Sequence, residues 1–229
     1  MNGIKPTRFG EQTPERAFIF TGGKDFCPEK MTDLPTERDI IIAADSGCSL
    51  IERFGKTHYK ISPDLILGDM DSYKGESIES LFPNAKFVSF PPEKDDTDTA
   101  LAVSVALEMG CKKIVIAGGL GGRLDHTLAN VYLLEYIKGE GADAIITDGK
   151  NRAYLAKEEN IIDGCRKYLS LIPLDECIHG VFMDESFKYP FEADTLYRKR
   201  FVTVSNEIKA EKATLKLKSG SALIVESGD

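Results

Sequence analysis

The stretch Lys113-Ile-Val-Ile-Ala-Gly-Gly-Leu-Gly-Gly-Arg-Leu-Asp-His126 decides the fold. Its opening Ile-Val-Ile-Ala is short, apolar and rich in β-branched residues, the composition of a strand covered on both faces. Four glycines among residues 118–122 then end the run. From His126 onward, Leu128, Val131 and Leu134 recur at helical spacing, which predicts a helix over 126–138. A strand, a loop and a helix in that order form one step of an α/β layer structure.

The same alternation extends outward from this stretch. Apolar runs predict strands at 17–20, 40–44, 64–67, 86–90, 113–117 and 144–147, with helices at 46–54, 97–109 and 126–138. Residues 1–150 therefore read as a mainly parallel, doubly wound α/β sheet domain. After Asp148-Gly149-Lys150 the pattern changes to short runs at turn-sized intervals, at 152–155, 168–172, 178–183, 200–205, 213–217 and 222–225. Several alternate by twos, and no helical pattern remains. Residues 151–229 read as a smaller all-β unit, a sandwich or barrel.

Three loops carry the chemistry, and each follows a strand candidate. They are Gly68-Asp-Met-Asp-Ser72, Lys94-Asp-Asp-Thr-Asp-Thr99 and Gly118-Gly-Leu-Gly-Gly-Arg-Leu-Asp-His126. Loops at the carboxyl ends of the strands line the ligand crevice of an open α/β sheet. Asp69 and Asp71 repel each other unless a cation or a proton stands between them. An acidic surface turn would also explain them, since Gly and Asp favour turns. Capping accounts for one or two of Asp95, Asp96 and Asp98, but not for all three. In the third loop the glycines allow close approach to phosphate, and Arg123 offers it a fork of donors. Asp125 reads as the cap of the helix from His126, a role compatible with ligand contact. Carboxylates, one arginine and a pliant backbone together suit magnesium holding a polyphosphate.

Composition narrows the partners. The 229 residues carry 37 acids against 29 bases, a net charge of −8, and no long basic run. A nucleic-acid partner bound through its phosphates is therefore not expected. No apolar run reaches the roughly 20 residues of a membrane span, and the N-terminus has no signal-peptide core. The five cysteines, at 27, 48, 111, 165 and 177, form no Cys-x-x-Cys pair and read as buried reduced thiols of a cytoplasmic protein. Two phosphate motifs are missing. Gly55-Lys56-Thr57 lacks the leading glycine of a P-loop at Leu50, and Leu124 stands where a dinucleotide fingerprint needs its third glycine. His58 and His179 read as structural.

The ordered set of loops resembles the thiamine pyrophosphokinase family. Ala44-Asp-Ser-Gly-Cys48 is similar to that family's Ala-Asp-Gly-Gly-Ala segment, with Ser46 in place of the first glycine, and Ser170-Leu-Ile-Pro-Leu174 and Val204-Ser-Asn-Glu207 resemble segments of its β-rich domain. The resemblance implies an α/β catalytic domain followed by a β-sandwich, in a homodimer with thiamine bound between subunits. It implies transfer of the terminal diphosphoryl group of ATP to the thiamine hydroxyl, leaving AMP. By position, Asp69, Asp71, Asp95 and Asp98 would surround magnesium, and Arg123 and Asp125, with Gly121 and Gly122, would meet ATP. Asp45 would lie at the nucleotide or substrate edge, and Ser205 and Asn206 would touch the aminopyrimidine. Asp71 or Asp98 would accept the hydroxyl proton. Without tryptophan, the group stacked on thiamine must be Phe, Tyr or another group. Two other readings compete: a haloacid-dehalogenase-like phosphohydrolase with Asp69 as nucleophile and Asp71 as acid, and a non-catalytic nucleotide or vitamin sensor.

Overall fold

The computed structural model describes residues 7–10, 12–68, 77–88 and 96–228. The chain divides into two compact units, Met1–Gly149 and Lys150–Asp229.

The first unit contains six strands: β1 (Arg16–Phe20), β2 (Asp39–Ala44), β3 (Leu65–Leu67), β4 (Lys86–Val88), β5 (Lys113–Ala117) and β6 (Asp143–Thr147). Every described pairing between them is parallel, and the spatial order is β6-β5-β1-β2-β3-β4. Composition suits the central places in this order. The central strands Phe-Ile-Phe and Ile-Ile-Ile-Ala-Ala are buried along their whole length and cannot face water on either side.

Alternation along the strands sorts their residues between two faces. Phe18, Phe20, Ile41, Ala43, Ile66, Val115 and Ala117 pack on one face against Cys48, Leu50, Ile51 and Phe54 of helix α1 (Gly47–Thr57). Phe20 is the aromatic centre, tilted on Phe18 and edge-on to Phe26 and Phe54. Ile19, Ile42, Leu65 and Ile116, all fully buried, point the other way. There α3 (Asp98–Glu108) packs on the sheet and on α4 (Leu124–Gly139). A single turn, α2 (Ile78–Leu81), is an element that the sequence reading leaves out.

The start of α4 and the burial of the cysteines differ from expectation. Helix α4 begins at Leu124, two residues before the predicted start, and its buried face is Asn130, Leu134 and Ile137. Leu128, expected on that face, is 49% exposed, as are Leu124, Tyr132 and Tyr136 to similar or greater degree. Of the expected stripe, Leu134 is buried and Val131 half-buried, while Leu128 falls on the outer face of the helix. The cysteines also divide. Cys48 and Cys111 are buried, and burial pushes their thiols up to about 12 and about 11. Cys165 is exposed, contrary to the reading that all are buried.

The second unit is a sandwich. One sheet runs β12-β9-β14-β7, from Asn206–Glu207, Tyr168–Pro173, Ala222–Ser227 and Asn151–Leu155. The other runs β11-β10-β13-β8, from Phe191–Tyr197, Cys177–Met183, Lys212–Lys216 and Glu159–Asp163. The described pairings are antiparallel. Leu169, Leu171, Ile178, Val181, Met183, Phe187, Leu215 and Ile224 fill the space between the sheets. The strand expected at 200–205 does not form. Phe201, Val202 and Val204 are exposed there, and only Asn206–Glu207 pairs, with β9. The strands missed in the sequence, β8 and β11, carry acids on their outward positions, which lowers their apparent β character.

Candidate active site

The sheet order places a topological switch point between β1 and β5. The chain runs from β1 outward to β4, then returns to the other side of β1 as β5. Ligands of open α/β sheets bind outside the carboxyl ends of the strands at such a point. Here the two strands end in glycine turns that touch. A Cβ on Gly23 would stand 2.2 Å from the Gly118 carbonyl oxygen. The Thr21 N–H donates to the Ala117 carbonyl at 2.9 Å, and the Gly118 N–H to the Thr147 carbonyl at 2.7 Å. Only side-chain-free backbone lets the two turns approach this closely.

On one side of the switch point, Asp45, Gly68 and Asp98 converge. Asp45 ends β2 with φ of +51°, and its N–H donates to the Leu67 carbonyl at 3.0 Å. Gly68 follows β3 with φ of +124°. A Cβ there would lie 3.4 Å from the Asp45 nitrogen and 3.7 Å from Asp98 Oδ2. Asp98 is the first residue of α3. It does not cap the helix, because Thr97 Oγ1 accepts the Ala100 N–H at 3.2 Å. The Thr99 hydroxyl bonds the Thr21 hydroxyl at 2.9 Å, which ties this first turn to the end of β1.

Asp69, Asp71 and Asp95 lie outside the described residues. Among the described residues no three His, Cys, Asp or Glu side chains are grouped as a metal site requires. Asp98 nevertheless fits a magnesium site in chemistry and place: a hard carboxylate oxygen beside the residue that leads into Asp69.

On the other side stands the glycine-arginine loop. Gly121 and Gly122 both have positive φ, +84° and +70°. Asn130 Nδ2 donates to the Gly119 carbonyl at 2.9 Å, and the Gly122 N–H donates to Asp25 Oδ2, also at 2.9 Å. Arg123 holds Asp125 through two parallel bonds, Nε to Oδ1 at 3.1 Å and Nη2 to Oδ2 at 2.5 Å. Asp125 Oδ1 also accepts the His126 N–H at 3.0 Å. The hydrogen bonds from Arg123, seconded by this amide, hold the Asp125 carboxyl down at about 2. Both side chains are open to solvent, at 73% and 61% exposure. Asp125 is thus in the first turn of α4, where its charge suits the helix dipole, and not at the cap as the sequence suggests.

Ser205 and Asn206 belong to the second unit. Ser205 is exposed, has φ of +57°, and its N–H donates to Ser170 Oγ at 2.9 Å. Asn206 is buried, and its amide grips the backbone of Tyr189. Oδ1 accepts the Tyr189 N–H at 3.1 Å and Nδ2 donates to its carbonyl at 2.7 Å. This pairing holds an exposed aromatic, Tyr189, beside the Ser205-Asn206 corner.

Sequence reading missed three features here: Asp25, the Thr21–Thr99 hydroxyl pair, and Gly22-Gly23. The last was legible, since Gly22-Gly23 follow the β1 run as Gly118-Gly119 follow β5. A cleft of about 790 Å³ lies at the amino ends of β2 and β3 between Arg8, Tyr59, Lys60 and Asp64. It is at the wrong edge of the sheet for the loops above, and topology outweighs its size.

Comparison with known proteins agrees with this geometry. A family model described as "Thiamin pyrophosphokinase, catalytic domain" matches residues 31–146, and one described as "Thiamin pyrophosphokinase, vitamin B1 binding domain" matches residues 155–222. The chain is 29% identical to the thiamine pyrophosphokinase of Bacillus subtilis (strain 168) over 223 residues, 92% of this chain and 98% of that protein. The crystal structure of thiamine pyrophosphokinase from Bacillus subtilis superposes with a TM-score of 0.82 at 27% identity, over 93% of this chain and 99% of that one. A thiamin pyrophosphokinase family protein from Enterococcus faecalis gives a TM-score of 0.76 at 26% identity, over 93% and 99% of the two chains.

Proposed function

Because the chain belongs to the thiamin pyrophosphokinase family, we propose that it transfers the terminal diphosphoryl group of ATP to the hydroxyl of thiamine, giving thiamine diphosphate and AMP. The observation that carries the reading is the glycine-arginine loop at the switch point of the sheet, with Asp45 and Asp98 on its other side. The dehalogenase-like and non-catalytic readings are not favoured, since two family models in sequence cover most of the chain.

Each residue has a role that its chemistry permits. Gly121 and Gly122 give the phosphates a turn without side chains to approach, and Arg123 offers charged donors; its Nη1 lies outside the pair with Asp125. The thiamine hydroxyl attacks the β-phosphorus and the bond to the AMP oxygen breaks. Such transfer asks the protein chiefly for position and for charge opposite the phosphate oxygens. Asp71 or Asp98 accepts the hydroxyl proton. Asp69, Asp71, Asp95 and Asp98 would hold magnesium, which when bound neutralises charge on the triphosphate. Ser205 and Asn206 receive the aminopyrimidine, with Tyr189 or Phe201 as the ring available to it.

We take the working form to be a cytoplasmic homodimer with thiamine bound at the subunit interface. The exposed row Leu124, Leu128, Tyr132 and Tyr136 on α4 supports self-association. Among the described residues no helix is long and apolar enough to cross a membrane.

The deciding assay supplies purified protein with ATP, magnesium and thiamine, and measures AMP and thiamine diphosphate together. Equal yields of the two, absent without thiamine, are expected. Free phosphate without AMP, or a phosphorylated aspartate, would overturn the reading.

A further inference from the structure

Asp25 is in no motif, yet it joins two loops that are 97 residues apart in sequence. It follows the Gly22-Gly23 turn after β1 and sends its carboxylate to the N–H of Gly122, in the loop after β5. The fit is close. A Cβ on Gly121 would lie 2.7 Å from the same oxygen, so the carboxylate fills the space that a side chain there would need. Other described anchors of this loop come from β6, whose Thr147 carbonyl accepts the Gly118 N–H, and from α4, the helix that it enters. Asn130 holds the Gly119 carbonyl, and Thr127 Oγ1 reaches the carbonyls of Arg123 at 3.3 Å and Gly121 at 3.4 Å. Those contacts fix the loop to its own helix. The Asp25 contact fixes it to the neighbouring strand.

Two consecutive glycines with positive φ have more freedom to lose than any other pair of residues. A loop left free would have to be ordered by the nucleotide at the moment of binding, and that cost weakens affinity. We propose that Asp25 is a positioning residue for nucleotide binding, which by holding the Gly122 N–H sets the glycine turn and the adjoining Arg123 guanidinium in place before ATP arrives. This rests on the reading of the glycine-arginine loop as the ATP loop. It differs from that reading in assigning the preorganisation to a side chain outside the loop.

The test compares Asp25→Ala and Asp25→Asn with the unmodified protein. Asn keeps an acceptor oxygen, and Ala does not. Hydrogen exchange at the Gly122 amide, followed without nucleotide, reports the bond itself. It should speed up in Asp25→Ala and stay near the original rate in Asp25→Asn. Calorimetry with ATP should show affinity lowered roughly three- to tenfold in Asp25→Ala, the range that one net hydrogen bond supports, and restored in Asp25→Asn. KM for ATP should rise in proportion while kcat stays within about twofold, the pattern of a binding effect alone.

Faster exchange in Asp25→Ala with unchanged ATP affinity would overturn the proposal, leaving the bond merely structural. Tighter ATP binding would overturn it in the other direction, making the carboxylate a competitor of phosphate for the Gly122 amide. Asp25→Asn as weak as Asp25→Ala would also overturn it, since charge and not acceptance would then matter. Unmodified protein that fails to bind ATP would overturn the ATP-loop reading beneath it, a result distinct from all three.

Discussion

The hydroxyls of Thr21 and Thr99 meet at 2.9 Å inside the protein, joining the end of the central strand to the first turn of α3. Each is nearly buried, so each satisfies the other where water cannot. Replacing Thr21 by Val keeps the shape and strands the Thr99 hydroxyl. A loss of about 1–3 kcal/mol is expected. The double variant Thr21→Val, Thr99→Val should cost less than the sum of the single changes, because it leaves no orphan. Urea unfolding of the three variants measures both figures, and strict additivity would refute the pairing.

Asp98 stands one residue away from that hydroxyl pair and does not cap its helix. Asp98→Asn should therefore leave helix content and unfolding midpoint nearly unchanged, since Thr97 supplies the cap. Activity should fall by about 10²–10⁴-fold if Asp98 is the base, with loss of the acid limb of the rate profile. If the acid limb survives in Asp98→Asn and disappears in Asp71→Asn, the base is Asp71. Survival in both variants would remove the base from this pair.

The carboxyl of Asp125, held down at about 2, has a signed consequence. A depressed native value favours the folded, ionised pair above the ordinary value of 3.8, and that advantage is lost as pH falls through about 2. Because both side chains are largely open to solvent, no measurable change of stability is expected at neutral pH. Carbon-detected NMR titration should find Asp125 ionised at pH 3. Arg123→Ala should raise its value toward 3.8, while Arg123→Lys, which cannot make the two-pronged bond, should raise it part of the way.

Gly23 should tolerate no side chain. The clash at 2.2 Å is with backbone oxygen of Gly118, not with the end of a flexible group, so relief requires one of the two turns to move. Gly23→Ala should cost about 1–3 kcal/mol, with a matching loss of ATP affinity. Gly139→Ala, at a helix end with open space around it, is the control and should be close to neutral. Differential scanning calorimetry separates the two.

The strands β2 and β5 were plain in the sequence because burial on both faces leaves unbroken apolar runs, which few other structures require. Leu128 shows the limit of periodicity: spacing of three and four defines a helix stripe but not which stripe faces inward. The run 200–205 misled for a related reason. Phe201, Val202 and Val204 look like strand residues, yet their apolar side chains lie on the surface. In the candidate site, Asp98 and the glycines of the third loop stand out by type and order, while Asp69, Asp71 and Asp95 lie outside the described residues. Asp25 and Thr21 do not stand out, because each acts through a partner distant in sequence, at Gly122 and Thr99, that local composition cannot reveal.

The strand order also has a temporal side. During synthesis β1, β2 and β3 emerge in sequence and can pair at once, each beside its predecessor. The other flank of β1 must wait for β5, and closing so long a loop is slow. Until then Phe18 and Phe20 sit in a strand with an open edge, the kind of edge to which other chains add. The crevice between β1 and β5 thus cannot form before residues 113–117 are made, β6 can add only after that, and a ribosome stalled before residue 113 carries β1 without its β5 neighbour.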